Sequence, residues 1–61
     1  MFKVGQKVIC KVHGEGVVVN TDEHEKYPVD VEFVGGGWNC YTEDGKLWTV
    51  DDEPSLTVIE G

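Results

Sequence analysis

The residues of this 61-residue chain most able to hold a metal or enter redox chemistry are Cys10, His13, His24 and Cys40. Cys10-x-x-His13 has the close spacing of a zinc knuckle, but zinc sites normally present two such pairs, and His24 and Cys40 are far apart in the chain. Cys10 and Cys40 leave two readings open. A bridge between them needs Cα atoms within about 7 Å and would contribute roughly 3–4 kcal/mol in the chain-entropy model. The other reading is two reduced thiols in the core, where cysteine is among the most buried residue types. Calcium fits poorly. With Gly45 as the invariant glycine of an EF-hand loop, the first, third and twelfth ligand positions become Cys40, Thr42 and Asp51.

Nucleophilic and nucleotide chemistry find no better footing. Ser55, the one serine, follows a proline in an acidic stretch and has no nearby histidine. Gly14-x-Gly16 opens a dinucleotide fingerprint, but Val19 stands at the third glycine position and no helical pattern follows. Asp51 and Asp52 are adjacent, so in an extended chain they point to opposite sides. The expectation is a protein that is not an enzyme and that has no cofactor and no dedicated metal site.

Charge narrows the partners. Residues 1–13 carry Lys3, Lys7 and Lys11 and no acid, whereas every one of the twelve carboxylates lies beyond them against Lys26 and Lys46. There is no arginine, and the net charge is −7. Nucleic-acid binders need cations to release phosphate counterions and arginine forks to read guanine edges, so direct DNA or RNA binding is not expected. An acidic surface keeps a small domain soluble and steers basic partners toward it. No apolar run approaches the ~20 residues of a membrane span, and no secretory leader pattern is present. A soluble, cytoplasmic protein is expected, without membrane contact and as a monomer or weak homo-oligomer.

The elements that must position these residues read as short strands cut by glycine. From Val4 to Val12 the even positions are Val4, Gln6, Val8, Cys10 and Val12, and the odd ones include the three lysines. That alternation predicts a half-buried strand with a wet lysine face, leaving Ile9 as an apolar exception there. Gly14-Glu15-Gly16 predicts a tight turn into Val17-Val18-Val19, and residues 20–28 a polar loop closed by Tyr27-Pro28. Val29 to Val34 alternates, with Val29, Val31 and Phe33 inward and Asp30 and Glu32 outward. Gly35-Gly36-Gly37 then turns the chain into a strand with Trp38 and Cys40 inward and Asn39 and Tyr41 outward. Glu43-Asp44-Gly45 signals another turn, Leu47 to Val50 a short strand or irregular segment, and Leu56 to Ile59 the closing strand. Five or six such strands without a helix in one domain spanning 1–61 predict an all-β, SH3-like barrel, five strands being favoured.

The segment Val4-Gly5-Gln6-Lys7-Val8 followed by Gly14-Glu15-Gly16-Val17-Val18 resembles the opening of SH3-like barrels such as the KOW and CarD-type modules. With Tyr27-Pro28-Val29, Val31-Glu32-Phe33, Tyr41 to Lys46 and Pro54-Ser55-Leu56, the whole chain is similar to small, largely uncharacterised bacteriophage and prophage proteins. That resemblance implies a phage accessory protein acting on a host protein in the bacterial cytoplasm. KOW and CarD modules use basic or apolar surfaces, and the acidic composition departs from them.

Acids beside exposed aromatics suit lysine- or arginine-bearing peptides. The candidate partner-binding patch is therefore Tyr27, Tyr41 and Trp48 with Glu43, Asp44, Asp51 and Asp52. Trp48 has a second reading as a plug for the barrel end. An alternative use of the charge is nucleic-acid mimicry by Asp22, Glu23, Glu25, Asp30 and Glu32, and a third is a structural part in a phage assembly that self-associates through an unpaired strand edge.

Overall fold

A computed structural model describes residues 2–22, 24–47 and 53–60, with Glu60 described by its backbone alone. Trp48, Asp51, Asp52 and Glu23, all named above, lie outside the described residues. Five strands form one antiparallel sheet: β1 (Lys7–Cys10), β2 (Gly14–Asn20), β3 (Val29–Phe33), β4 (Trp38–Tyr41) and β5 (Leu56–Glu60). The order across the sheet is β4-β3-β2-β1-β5, which leaves β4 and β5 as its edges. The backbone N–H groups of Ser55 and Leu56 both donate to the Gly45 carbonyl, at 2.9 and 3.0 Å. They tie the entry to β5 to the turn that leaves β4. Among the described residues no helix is long and apolar enough to cross a membrane.

The core is built by period two. Val8 and Cys10 of β1, Val18 of β2, Val29 and Val31 of β3, Tyr41 of β4 and Leu56 of β5 are buried on one face, with Phe2, Phe33 and Leu47 packed against them. Each fully buried valine of this set is worth about 1.5–3 kcal/mol over its exposed form. Lys3, Lys7 and Lys11 are exposed, as the alternation requires. The first strand is shorter than predicted: Gly5 has φ of +94° and sits in a turn, so Val4 and Val12 fall outside β1 and are exposed. Ile9 lies on the outer face, 41% exposed.

Two glycine assignments change. The β1–β2 turn consists of Lys11, Val12 and His13, since Cys10 already pairs with Gly14. Gly16 is not a turn residue but a buried position in β2, where a Cβ would stand 2.7 Å from the Glu32 carbonyl oxygen and 2.7 Å from Val31 Cγ1. It permits β2 and β3 to approach closely. The Glu43-Asp44-Gly45 turn is present as expected. The Gly45 N–H donates to the Thr42 carbonyl and the Thr42 N–H to the Lys46 carbonyl, both at 2.8 Å, with Gly45 at φ +86°.

The faces of β4 are the opposite of the sequence expectation. Phe33 N–H donates to the Gly37 carbonyl at 3.0 Å, so Val34, Gly35 and Gly36 form a three-residue hairpin loop. That register pairs Val29 with Tyr41 and Glu32 with Trp38. Cross-strand partners share a face, so Tyr41 points inward with Val29 and is fully buried, while Trp38 points outward and is 66% exposed. A four-residue loop would have paired Trp38 with Phe33 and reversed every side chain. Tyr41, not Trp38, is the aromatic that anchors the core.

Candidate functional site

Of the expected patch, Glu43 lines an open cleft, while Tyr27 precedes Pro28 and Asp44 follows Glu43 in the chain without lining it. The cleft has a volume of about 290 Å³ and is lined by Phe2, Thr21, Pro28, Val29 and Glu43. Its position follows from the chain path. Thr21 and Pro28 bracket the polar loop between β2 and β3, and Glu43 enters from the turn after β4 because Val29 and Tyr41 are paired. Asn20 Oδ1 accepts the Asp22 N–H at 3.0 Å and His24 Nδ1 accepts the Lys26 N–H at 3.1 Å, so the loop supplies its own local turns. The His24 and Tyr27 rings lie 6.1 Å apart, tilted by 36°. Tyr27 is half-buried, while Asp22, Glu25, Glu43 and Asp44 are exposed. The lining thus sets apolar side chains beside the Glu43 carboxylate.

Tyr41 leaves the patch. Its hydroxyl is buried without a hydrogen-bond partner of acceptable geometry, and burial pushes the phenol far above its ordinary range. The Cys10 thiol beside it, a weak acceptor, adds to that shift. A neutral, enclosed Tyr41 cannot touch a partner.

The cysteines and histidines are dispersed. Cys10 is buried in the core face of β1, whereas Cys40 is half-buried and pairs across the sheet with Asp30 on the outer face. Neither forms a disulfide. His13 lies against the Phe33 ring, with centroids 5.2 Å apart, and its Nε2 is 3.3 Å from Asn39 Nδ2. The amide donates in that bond when the ring proton is on Nδ1. Among the described residues no three His, Cys, Asp or Glu side chains gather as a metal site would require. The carboxylates considered for mimicry divide between the β2–β3 loop, with Asp22 and Glu25, and β3, with a half-buried Asp30 and an exposed Glu32. Lys11 and Glu53 form an ion pair at 3.4 Å, with both side chains largely in water, where such pairs contribute about 0–1 kcal/mol.

What sequence reasoning missed is a second aromatic surface. Trp38 stands on the outer face of β4 opposite Glu32, and Val34 of the hairpin loop before it is also exposed. The signal was available in principle, since Phe33, three glycines and Trp38 admit loops of either parity, and only the hydrogen bond from Phe33 to Gly37 selects one.

The chain matches no family model, and no curated protein or solved structure is significantly similar to it.

Proposed function

We propose that this chain is a small acidic protein-interaction module that docks a basic-surfaced protein at the cleft between the β2–β3 loop and the Glu43-Asp44 turn. The observation that carries the reading is the cleft itself, an apolar floor of Phe2, Pro28 and Val29 edged by Glu43. Such a surface takes the stem of a lysine or arginine against its floor and the cationic head against its rim. Glu43 acts there with its chain neighbour Asp44 and with Tyr27, and the patch proposed from the sequence also names Trp48, Asp51 and Asp52, which lie outside the described residues. The architecture proposed is an SH3-like barrel, supported by the strand order and by the Gly45 carbonyl that receives both Ser55 and Leu56. The sequence resemblance extends the proposal to a phage-encoded accessory protein that modulates a host protein in the cytoplasm.

The test is retention of a defined host protein on immobilised wild-type chain, compared with the double variant Glu43→Gln/Asp44→Asn. Binding of a basic protein that weakens with salt and falls at least threefold in the variant supports the reading. Absence of any such protein at low salt, or binding indifferent to both carboxylates, overturns it.

A further inference from the structure

The outer face of the sheet carries a feature that the cleft does not explain. Trp38 is an indole two-thirds exposed on a strand, and the residue paired with it across β3–β4 is Glu32, also exposed. The hydrogen bond from Phe33 to Gly37 fixes the alternation of the ladder, so the Glu32–Trp38 pair is of the non-hydrogen-bonded kind, in which side chains stand closest, with Cα atoms about 4.5 Å apart. Beyond Glu32 the same row continues through Val17 to Lys7 on β1, so a hydrophobic residue separates the carboxylate from the nearest lysine in the row. Val34, in the hairpin loop that leads to Trp38, is a further exposed apolar residue, 79% accessible.

The backbone of this edge is partly closed. By the same alternation the N–H and C=O groups of Trp38 and Cys40 face the open side of β4. The Cys40 N–H, however, already donates to the Asn39 side-chain oxygen at 3.0 Å, and the Asn39 amide is held in turn by His13. An added strand would have to break this cap, so recognition at the edge falls to side chains. A flat indole face next to a carboxylate is a fitting seat for a planar cation: guanidinium stacks on the ring and forks onto the carboxylate, whereas ammonium offers neither plane nor fork.

We infer that Trp38 and Glu32 form a second recognition site, one that takes an arginine side chain from a basic protein segment. The inference rests on the reading of this chain as an interaction module, but it locates binding on a different face. The net charge of −7 brings such segments to the surface and opposes a second copy of the chain as the occupant.

The test titrates the isotopically labelled full chain with an acetylated, amidated Gly-Arg-Gly-Arg-Gly peptide, and with its lysine and citrulline counterparts, while following the indole N–H resonance of Trp38. The arginine peptide shifts that resonance saturably, the lysine peptide binds at least threefold more weakly, and the neutral citrulline peptide produces no shift. Glu32→Gln weakens arginine binding at least fivefold and Trp38→Leu abolishes the perturbation of Glu32. Both residues are exposed, and an unchanged far-ultraviolet spectrum verifies the fold of each variant. Glu43→Gln leaves binding at Trp38 unchanged. Equal binding of citrulline and arginine, or no saturable shift at Trp38 in the millimolar range, overturns the inference. If the arginine peptide moves Thr21, Val29 and Glu43 instead, this second site falls while the cleft reading stands. If it moves Trp38 and Glu32 but not the cleft, the second site stands and the cleft reading falls.

Discussion

Replacing Tyr41 by phenylalanine should stabilise the protein, although it removes a polar group from the centre of the core. The ring is fully buried and its hydroxyl has no hydrogen-bond partner of acceptable geometry. A buried, unsatisfied hydroxyl costs about 1–3 kcal/mol of desolvation that the folded state does not recover. Deleting the oxygen leaves a void of about 20 Å³, and at ~24 cal/mol per Å³ this offsets only about 0.5 kcal/mol. The net gain is about 1–2 kcal/mol, and for a chain this short each kcal/mol raises Tm by about 8 °C. Tyr41→Ala, which removes the ring as well, should cost about 3–5 kcal/mol.

The same residue governs alkaline behaviour. Folding raises the Tyr41 phenol above its ordinary 10.0, so at high pH the folded state holds a proton that the unfolded state releases. This contribution to stability is fully present below pH 10 and declines as pH rises above it, by up to about 1.4 kcal/mol per pH unit. Thermal melts of wild type and Tyr41→Phe at neutral pH and above pH 10 measure both effects. The phenylalanine variant should melt higher at neutral pH and lose less on alkalinisation, and the phenolate absorbance of Tyr41 should appear only with unfolding. A variant less stable than wild type by 1 kcal/mol or more at neutral pH would refute the reasoning, because the hydroxyl would then be well bonded.

The remaining predictions concern close approaches and accessibility. Gly16→Ala should destabilise by about 1–3 kcal/mol, read from denaturant midpoints, because its Cβ would meet the Glu32 carbonyl oxygen at 2.7 Å, a backbone atom that cannot easily yield. Gly45→Ala should cost at least as much: its φ of +86° strains an L-residue by about 1–2 kcal/mol, and the new methyl would meet the Phe2 ring at 2.8 Å. Under native conditions a thiol reagent followed by peptide mass analysis should label Cys40 well ahead of Cys10, which is 2% exposed, and denaturant should equalise the two. Iodide should quench the wild-type fluorescence, and Trp38→Leu should reduce the quenchable component, because Trp38 is 66% exposed.

How far the sequence carried the fold is clearest in particular residues. The alternation of Val8 with Cys10 and of Val29 with Val31, the proline that closes the polar loop and the Asp-Gly turn are local patterns, and all of them persist in the folded chain. They follow from the two-residue period of a strand and from a left-handed backbone that glycine alone adopts cheaply. The acidic composition was likewise legible, and with it Glu43 and Asp44 as exposed carboxylates. The strand ends were less so, because Val4 and Val12 continue the pattern past the point where Gly5 and the Lys11–His13 turn remove the ladder.

Tertiary structure decided which aromatic is core and which is surface. Trp38, Tyr41 and Phe33 are all plausible on either face until the hairpin between β3 and β4 acquires a register, and one residue in the loop inverts the choice. Gly16 shows the same dependence, a turn residue by local pattern and a packing position once β3 lies against it. Period and composition are properties of a single segment, whereas register is set by the contacts between two, and for this chain the surface available to a partner rests on the second.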